Sequence, residues 1–570
     1  MQHNRRVRVA IVPGPGSTGL ICRLRDDGSA AQPPDEVPDL AAGVAALEGS
    51  GGVRWVWTAA ARLYPGLLRA GVRVSRCHDV ELTGLLIRAR DGADCEPAPI
   101  AAAAARLGND SAQAQAGRVG SEQLPFDQAA ASAPDPEATL ADLLAVHSYQ
   151  LSRLAADAQP ARFGLLAAAE SAGGLAAAEM TAAGLPWRAE VHDRLLTQML
   201  GPRPQATAGP PLRPARLGEL AARISAALGA VRPVNPDSPA QLLRALAASG
   251  IRVTSTRSAV LRQIDHPAIP LLLEYKELAR LHAANGWSWL DTWVSGGRFR
   301  PAYVVGGVVS GRWASRGGGA LQIPRLLRQA VVADPGWTLV VADAAQLEPR
   351  ILAALAGDRS FAQIAASGDL YAAVATAIGG DRATAKIALL SAMYGGTGGD
   401  SGQSLALLRR RFPQASEFVE SAARAGEEGR VVRSVLGRTC PPPSAAWLSA
   451  TAESGDPEQE RDPGANAAAR ARGRFTRNFI VQASAADWAL VLLALLRARL
   501  TSLPLNDLIG PQLVFFQHDE VIVHCPTGMA TDVIATIEAS AVDATRLVFG
   551  ASEVSFPMTT AVVGCYSEAK

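Results

Sequence analysis

Carboxylates and a histidine interrupt two apolar stretches near the end of the chain. His518, Asp519 and Glu520 separate residues 513–516 from residues 521–525, and both runs are rich in β-branched and aromatic residues that predict strands. The polar residues between them are too few for anything but a tight hairpin, yet they lack the Asn-Gly or Asp-Gly that favours such turns. A turn without turn-forming residues indicates side chains kept for another reason, although a solvated hairpin tip is the simpler interpretation of this segment alone.

A second carboxylate follows another apolar run. Residues 339–342 predict a buried strand that ends at Asp343, and a helix is expected next because Pro349 is tolerated in a first turn and Gly357 is a typical stop. If the two strands pair, Asp343 and Asp519 can face each other, and they would repel unless cations bridge them. Two Mg²⁺ ions about 3.5–4 Å apart would do so and would serve in-line phosphoryl transfer. Two unrelated surface acids are the alternative.

Residues 380–396 carry cations on a predicted helix. Arg382, Lys386, Leu390 and Tyr394 recur at four-residue steps, so they share one broad face. Such a face suits a triphosphate, because the cations bind phosphate oxygens and the aromatic end can meet the sugar and base. An ordinary surface helix with a solvated lysine is the alternative.

The composition predicts a large globular chain without a global basic field. The chain has 570 residues and is 48% hydrophobic, which indicates roughly three or four domains and excludes wholesale disorder. The formal net charge is +2, so a nucleic-acid surface must be a local groove. The six cysteines contain no CxxC pair, which argues against structural zinc and fits a cytoplasmic, nucleoid-associated protein. The apolar run at 488–496 is too short for a bilayer, so no membrane association is expected.

Segments of unusual composition divide the chain, and one glycine motif near its start is misleading. A GxGxxG pattern at residues 14–19 follows a predicted strand, but a dinucleotide site needs a helix next, and the residues after it favour a hairpin instead. Three zones are expected to be irregular because they are rich in Pro, Gly, Gln or charge: 97–139, 201–214 and 441–474.

Together these segments resemble a family A DNA polymerase in the large-fragment arrangement of bacterial DNA polymerase I. The first palm motif of that family, DYSQIELR, corresponds to DAAQLEPR at residues 343–350. The fingers motif corresponds at Arg382, Lys386, Tyr394 and Gly395, and the third motif, HDE, corresponds to residues 518–520.

Three further segments resemble the family in the same order. RNFIVQASAAD at residues 477–487 is similar to FNxxxQGTAAD, and SGRWASRGGGALQIP at residues 310–324 is similar to TGRLSSxDPNLQNIP. EYKELARLHAANG at residues 274–286 looks like the thumb helix of the family. Each motif alone is weak, but six in family order from about residue 160 onward indicate the fold.

The resemblance implies an α+β multidomain fold. It would be a right-hand polymerase, with palm, fingers and thumb, preceded by an N-terminal RNase H-like exonuclease-type α/β domain. The expected boundaries are 1–160 for the degenerate exonuclease-like domain, 161–331 for the palm entry and thumb, 332–358 for the first palm segment, 359–474 for the fingers and 475–570 for the palm segment with HDE.

The resemblance also implies template-directed addition of deoxynucleoside triphosphates to a primer 3′ end. Asp343 and Asp519 would hold two Mg²⁺ ions, for which Mn²⁺ is a possible substitute, with Glu520 as a third catalytic acid. Glu348 would crowd the sugar 2′ position with help from Tyr394. The implied nucleotide-binding residues are Arg382, Lys386, Leu390, Tyr394, Glu348, Gln346 and Tyr371.

Primer-template DNA is the implied partner of a monomeric protein. Lys276 and Arg280 would contact duplex phosphates. The residues implied to donate to minor-groove acceptors, which check base-pair geometry without reading sequence, are Arg312, Gln322, Arg474, Asn478, Gln482 and His518. An ordinary core or solvent role is the simpler interpretation for Gln322, Gln346 and Tyr371.

Several positions depart from the family pattern. Ala344 and Ala345 replace Tyr and Ser, Leu390 replaces an aromatic residue, Ser391 replaces glycine, and Tyr371 stands where the family has histidine. These departures predict reduced catalytic efficiency, and they leave open a catalytically weakened polymerase-fold protein that acts as a DNA-binding module.

The N-terminal domain lacks most of the acids that the resemblance implies for proofreading. VPGPG at residues 12–16 stands where the family has DTE, residues 63–65 read Leu-Tyr-Pro in place of KYD, and the last motif remains only as Arg153 to Asp157. A nuclease site with two metals cannot form on one of four carboxylates. The domain is therefore expected to be a structural remnant.

Overall fold

A computed structural model of the chain describes the residues 7–93, 98–113, 135–204, 213–316, 319, 323–366, 368–395, 401–452, 463–504 and 510–569. The chain divides into two compact units. The first unit contains residues 1–182, 303–314 and 340–561, and the second contains residues 183–302, 315–339 and 562–570. The predicted five-part division into domains stays a prediction.

The N-terminal region of the first unit is built on a mixed five-stranded sheet. Its strand order is β3-β2-β1-β4-β5, where β1 is Val7–Pro13, β2 Gly19–Leu24, β3 Asp35–Val37, β4 Val53–Trp57 and β5 Cys77–Asp79. β1 pairs antiparallel with β2 and parallel with β4. The glycines at 14–19 therefore form a hairpin, which confirms that they are not a dinucleotide motif.

Both faces of this sheet are covered. Alternate residues of a strand point to opposite faces, and both Val9 and Ala10 of β1 have no exposed surface, as expected of a sheet between helices. The helices of this region are α1 Leu40–Gly49, α2 Ala60–Arg69, α3 Val80–Arg90, α4 Ile100–Gln113 and α5 Pro136–Ala155. This is the predicted α/β architecture, and its exonuclease-type assignment stays a prediction.

The remaining helices of the first unit surround a second sheet. They are α6 Pro160–Ala183, α13 Leu347–Ala356, α14 Arg359–Ala365, α15 Leu370–Ile378, α16 Arg382–Tyr394, α17 Ser401–Arg411, α18 Pro413–Glu427, α19 Ala445–Ala452, α20 Pro463–Thr501 and α21 Ala530–Phe549. The sheet has the order β12-β13-β11-β14, with β11 Trp337–Ala344, β12 Gln512–Gln517, β13 Glu520–Pro526 and β14 Met558–Val563.

Helix α20 is the central helix of this core. Within the described residues, Asn466–Thr501 is the one helix long and apolar enough to cross a membrane. Its most apolar 18-residue stretch has a mean hydropathy of 1.9, and 78% of that stretch is buried inside the protein. Trp488 of α20 has no exposed surface and stacks on Phe556 at 5.2 Å between ring centroids. Such burial is typical of the core helix of a folded domain.

The second unit is mostly helical and has its own apolar core. Its helices are α7 Ala189–Leu200, α8 Ala215–Ala227, α9 Pro239–Ala248, α10 Ser258–Leu261, α11 Ala268–Asn285 and α12 Trp287–Trp293. Its short strands are β6 Leu185–Pro186, β7 Val294–Ser295 and β8 Arg298–Phe299; a two-stranded sheet of β9 Ala302–Val304 and β10 Ala314–Arg316 completes the strands. The segment predicted as a thumb helix lies in α11.

Two of the three zones predicted to be irregular are partly helical. The zone 97–139 contains α4 and the start of α5, and the zone 441–474 contains α19 and the start of α20. The prediction was wrong there because it gave little weight to alanine, which is the best helix former. Most of the zone 201–214 lies outside the described residues.

A buried ionic network joins the N-terminal sheet region to α6 and α20. The guanidinium of Arg497 on α20 donates to Glu179 on α6 at 2.6 Å and to the carbonyl of Ser75 at 2.9 Å. The hydroxyl of Tyr64 and the guanidinium of Arg73 also donate to Glu179, at 2.5 and 2.8 Å. A charge buried without its partners is strongly unfavourable, so these residues hold the three elements in one arrangement.

Candidate active site

One of the two predicted acids lies on a strand of the second sheet, and the other lies in the turn of the neighbouring hairpin. Asp343 lies inside β11 and not after it, because the strand continues to Ala344 beyond the predicted end at residue 342. The backbone N–H of Ala344 donates to the carbonyl of Asp519 at 2.9 Å. Asp519 belongs to the two-residue turn between β12 and β13, as the sequence predicted. Both acidic residues are half-buried, and the bond from Ala344 brings their backbones close together.

Backbone strain is concentrated beside these acids. Among the described residues, Gln346 and His518 are the only non-glycine residues with positive φ, at 52° and 56°. His518 precedes Asp519 in the hairpin turn, and Gln346 is the N-cap of α13. Non-glycine residues rarely adopt this conformation, and such strain clusters at functional sites. The missing turn-forming residues in the hairpin are explained by this strained turn.

Glu520 lies next to the turn and is largely enclosed. It begins β13, pairs with Gln517 of β12 and is 5% exposed. The third acid of the HDE segment is therefore more enclosed than its neighbour Asp519.

The alanines that replace larger residues preserve the backbone at this point. Ala344 donates to the carbonyl of Asp519, and Ala345 donates to the carbonyl of Pro557 at 3.1 Å. These bonds use main-chain groups, so they do not depend on the side chains at 344 and 345. The position of Asp343 is maintained in spite of both departures.

A buried arginine fixes the start of α13. Arg350 has no exposed surface and donates to the carbonyls of Ala345 at 2.9 Å, Gly368 at 2.7 Å and Ser555 at 3.0 Å. Burial lowers the pKa of Arg350. Gln346 accepts from Arg350 at 3.1 Å. The amide of Gln346 therefore belongs to a structural frame, in agreement with its simpler interpretation.

Helix α16 presents the four predicted residues on one face. It begins at Arg382 and ends at Tyr394, with Gly395 at a φ of 73° as its C-cap. Arg382 and Lys386 are exposed, whereas Leu390 and Tyr394 are half-buried. The other face packs into the core through Ala385, Ala388, Leu389, Ala392 and Met393. The helix and its polar face confirm the sequence prediction, and the nucleotide-binding role stays a prediction.

Arg382 contacts two side chains, those of Asp369 and Tyr371, which the sequence did not predict as its partners. Its Nε donates to Asp369 at 2.8 Å, and its guanidinium lies 5.6 Å from the ring centroid of Tyr371. Tyr371 is 8% exposed, so its ring is part of the core surface beneath the cation. The hydrogen bond from Arg382 lowers the pKa of Asp369. An aspartate directly before a helix is an N-cap signal, but the pairing across the fold has no local signal.

Glu348 is held from two sides. Arg312 forms an ion pair with its carboxylate, and the hydroxyl of Tyr394 donates to its other oxygen. Burial raises the pKa of Tyr394, and the neighbouring Glu348 raises it further. These contacts connect α13, α16 and the loop that carries Arg312.

The residues predicted to contact DNA divide into those on α20 and those beside the acids. Arg474, Asn478 and Gln482 recur at four-residue steps on α20; Arg474 is exposed and the other two are half-buried. The Oδ1 atom of Asn478 and the Nδ1 atom of His518 are buried without a hydrogen-bond partner within the described residues. Burial lowers the pKa of His518, and Arg312 lowers it further. Unpaired buried polar atoms are unfavourable, so a ligand that supplies partners would stabilise both side chains.

Two further predicted residues lie in the second unit, and a third is outside the described residues. Lys276 and Arg280 belong to the second unit, where they lie one turn apart on α11, half-buried and exposed respectively. Gln322 lies outside the described residues.

The segments that align with the nuclease motifs of the family make contacts unrelated to metal binding. Gly14 donates to the carbonyl of Thr18 at 2.9 Å and closes the turn after β1. Tyr64 lies fully buried in α2. Asp157, the one acid that remained in the sequence, forms a salt bridge with Arg90 at 2.8 Å.

Comparison with known sequences identifies the family. Residues 214–561 match the family model described as DNA polymerase family A, which covers more than half of the chain. The chain belongs to DNA polymerase family A, and its α+β right-hand fold is the one predicted from the sequence.

Individual relatives agree with this assignment. The chain is 25% identical over 306 residues to the thermostable DNA polymerase I of Thermus filiformis, covering 48% of the chain and 34% of that relative. It is 30% identical over 133 residues to the DNA polymerase I of Deinococcus radiodurans, covering 20% of the chain and 14% of the relative. The chain thus spans about a third or less of the length of these curated relatives.

A solved structure shares the fold over almost the whole chain. It is the POL domain of Pol1 from M. smegmatis in complex with DNA primer-template and dNTP, with a TM-score of 0.70 and 17% sequence identity. The match covers 99% of this chain and 96% of the other.

Proposed function

We propose that this chain is a template-directed DNA polymerase that adds deoxynucleotides to a primer 3′ end. The proposal rests chiefly on one observation: the N–H of Ala344, which follows Asp343 on β11, donates to the carbonyl of Asp519 in the turn of the neighbouring hairpin and so brings the two acidic residues close together. Paired acids in the palm of a family A polymerase suit phosphoryl transfer assisted by two metal ions.

The donor set of this edge fits Mg²⁺. Asp343 and Asp519 would be the protein ligands, because their backbones lie next to each other and both side chains are carboxylates. Mg²⁺ is commonly held by one or two carboxylates together with substrate phosphates, and Mn²⁺ accepts similar oxygen ligands. When bound, the ions would supply charge neutralisation at the primer hydroxyl and the leaving pyrophosphate. Glu520 would support Asp519 from its enclosed position.

The polar face of α16 would bind the triphosphate. Arg382 and Lys386 are exposed and cationic, and guanidinium and ammonium groups bind phosphate oxygens strongly. Hydrogen bonds from Tyr394 to Glu348 and from Arg382 to Asp369 connect this face to α13 and α15. Leu390 would contact the incoming nucleotide, and Glu348 would exclude a 2′ hydroxyl.

The DNA would be held through acceptors that every correct base pair presents in the minor groove. Arg312, Arg474, Gln482, the side-chain amide N–H of Asn478 and a ring N–H of His518 would donate there. Lys276 and Arg280 would bind duplex phosphates. We further propose a cytoplasmic monomer without membrane attachment, whose partners are primer-template DNA and deoxynucleoside triphosphates.

The proposed enzyme lacks proofreading. The proposal is supported by the salt bridge that engages Asp157 and by Pro65 of α2, which stands at the position of a metal-binding acid. A two-metal nuclease site needs several carboxylates that face a common space.

Primer extension tests the proposed activity. We expect extension in Mg²⁺ or Mn²⁺ that Asp343→Ala or Asp519→Ala abolishes while primer-template binding persists, because the acids hold ions and not DNA. Asp532→Ala, which changes an exposed acid in the first turn of α21, serves as the matched control. Extension by either palm variant at the wild-type rate would contradict the proposal. DNA binding by the wild-type chain without extension would favour the DNA-binding module instead.

A further inference from the structure

The contact between Arg382 and Asp369 has a specific geometry. Asp369 accepts from Nε of Arg382 at 2.8 Å. A guanidinium has five N–H donors in a planar fork, and four of them belong to the two terminal nitrogens. A bond through Nε therefore leaves the end of the guanidinium, formed by the two terminal nitrogens, available to another acceptor.

Asp369 is itself fixed in place. Its Oδ1 accepts from the backbone N–H groups of Tyr371 at 3.1 Å and Ala372 at 3.2 Å, as the N-cap of α15. The same oxygen accepts from Nε2 of Gln346 at 3.2 Å. Because Gln346 belongs to the frame of Arg350, the aspartate is connected to the strained segment after Asp343.

The charge of Asp369 is partly offset where it lies. The N-terminus of a helix carries a partial positive charge, and two of its N–H groups bind this carboxylate. The anion therefore orients Arg382 with less repulsion of a nearby phosphate than an isolated carboxylate would exert.

The ring of Tyr371 restrains the guanidinium of Arg382 from a second direction. Its centroid lies 5.6 Å from Cζ of Arg382, within the range of a cation–π contact. The ring is almost fully buried, so it cannot follow a moving side chain. Arg382 is thus positioned at its edge by Asp369 and at its face by Tyr371.

We propose that Asp369 is a positioning residue for the triphosphate, which acts through Arg382, and that Tyr371 assists through its ring. The inference rests on the proposed function, because it assumes that Arg382 binds a deoxynucleoside triphosphate. The inference adds to that function the claim that Asp369, which is not one of the predicted site residues, determines how well Arg382 is oriented.

Asp369→Asn isolates the positioning role from the capping role. Asparagine is as good an N-cap as aspartate, so α15 keeps its start while the charged acceptor of Arg382 is lost. We expect the KM for one nucleotide in single-nucleotide extension to rise about two- to fivefold, which corresponds to about 0.4–1 kcal/mol at 1.36 kcal/mol per tenfold and to the usual range for an exposed ion pair. The kcat and the affinity for primer-template should stay unchanged.

Two further single variants and one double variant complete the test. Asp381→Asn is the matched control: it changes the N-cap of α16, which accepts from Thr384 N–H at 2.7 Å, and should leave KM unchanged. Tyr371→Ala removes the ring beneath Arg382 and should raise KM. In an Arg382→Lys background, Asp369→Asn should have no further effect, since coupled residues are not additive.

The outcomes separate this inference from the proposed function. An unchanged or lowered KM for Asp369→Asn would overturn the positioning role, and a lowered KM would show that the aspartate competes with the triphosphate. An equal rise in the Arg382→Lys background would also overturn it, because Asp369 would then act independently of Arg382. If the wild type extends no primer, the proposed function fails, and equilibrium titration with a fluorescent deoxynucleoside triphosphate in Mg²⁺ still tests whether Asp369→Asn weakens binding.

Discussion

Shortening Glu348 is expected to make the proposed polymerase accept ribonucleotides. The carboxylate cannot move aside easily, because Arg312 binds one oxygen and the hydroxyl of Tyr394 donates to the other. Glu348 lies in the first turn of α13, which begins three residues after the strand that carries Asp343. A side chain fixed in this way excludes an added hydroxyl by volume.

The magnitude follows from the cost of overlap in a well-packed site. Forcing an extra group into such a site typically costs about 1–3 kcal/mol, which at 1.36 kcal/mol per tenfold gives a factor of about 5–150 in kcat/KM. Glu348→Ala removes the obstructing atoms and should reduce discrimination by this factor. Glu348→Gln keeps the volume and an acceptor oxygen, so it should retain most of the discrimination. Tyr394→Phe removes one of the two restraints and should reduce discrimination by less than about tenfold, since Arg312 keeps the carboxylate in place.

Insertion of a single nucleotide measures this ratio directly. The kcat/KM values for dCTP and CTP opposite a template guanine are compared for the wild type and the three variants. The steric explanation is refuted if Glu348→Ala keeps the wild-type ratio. Equal losses in Glu348→Gln and Glu348→Ala would show that charge, not volume, excludes the ribose.

Three further predictions concern other parts of the molecule. The full chain should not degrade single-stranded DNA from the 3′ end in Mg²⁺, and release of nucleotides sensitive to a chelator would contradict the loss of proofreading. Leu390→Phe should lower the KM for a nucleotide by up to about tenfold, because an aromatic face adds about 0.5–1.5 kcal/mol beyond its area, and it should leave DNA affinity unchanged; a loss of activity would mean that the pocket is shaped around leucine. Arg497→Met should lower the free energy of unfolding by about 3–5 kcal/mol, because it leaves a buried Glu179 without its main partner. Arg499→Met on the same helix, which breaks a partly exposed pair with Asp543, should cost less than about 1 kcal/mol, and denaturant unfolding of the two variants compares them.

The sequence predicted those parts of the site that depend on local pattern. The hairpin at residue 519, the helix from Arg382 to Tyr394 and its C-cap glycine follow from periodicity, turn length and capping preferences. The full extent of β11 could not be predicted, because Asp343 and Ala344 continue the strand only through pairing with β13.

The parts that were missed depend on contacts between distant segments. The local sequence around Asp369 indicates only a helix N-cap. Its bond to Arg382 arises only when α15 and α16 pack together. Arg350 is the last residue of the motif at residues 343–350, and nothing in the sequence indicated its contacts. They include backbone carbonyls up to 205 positions away. Helix α19 was missed because the interpretation of Pro, Gly and charge as loop signals outweighed the helix preference of alanine.

The network of Tyr64, Glu179 and Arg497 has a genetic consequence. An N-terminal domain without nuclease activity could be expected to tolerate any substitution, yet Tyr64 lies where it shares a buried carboxylate with the long core helix α20. Weakening that network should therefore yield temperature-sensitive polymerases whose mutations map far from every residue that touches substrate. A library of substitutions in residues 60–183 and 463–501, selected for polymerase activity at two temperatures, should place such alleles at residues 64, 73, 179 and 497. The domain would then be maintained by its contribution to folding, as the proposed lack of proofreading requires.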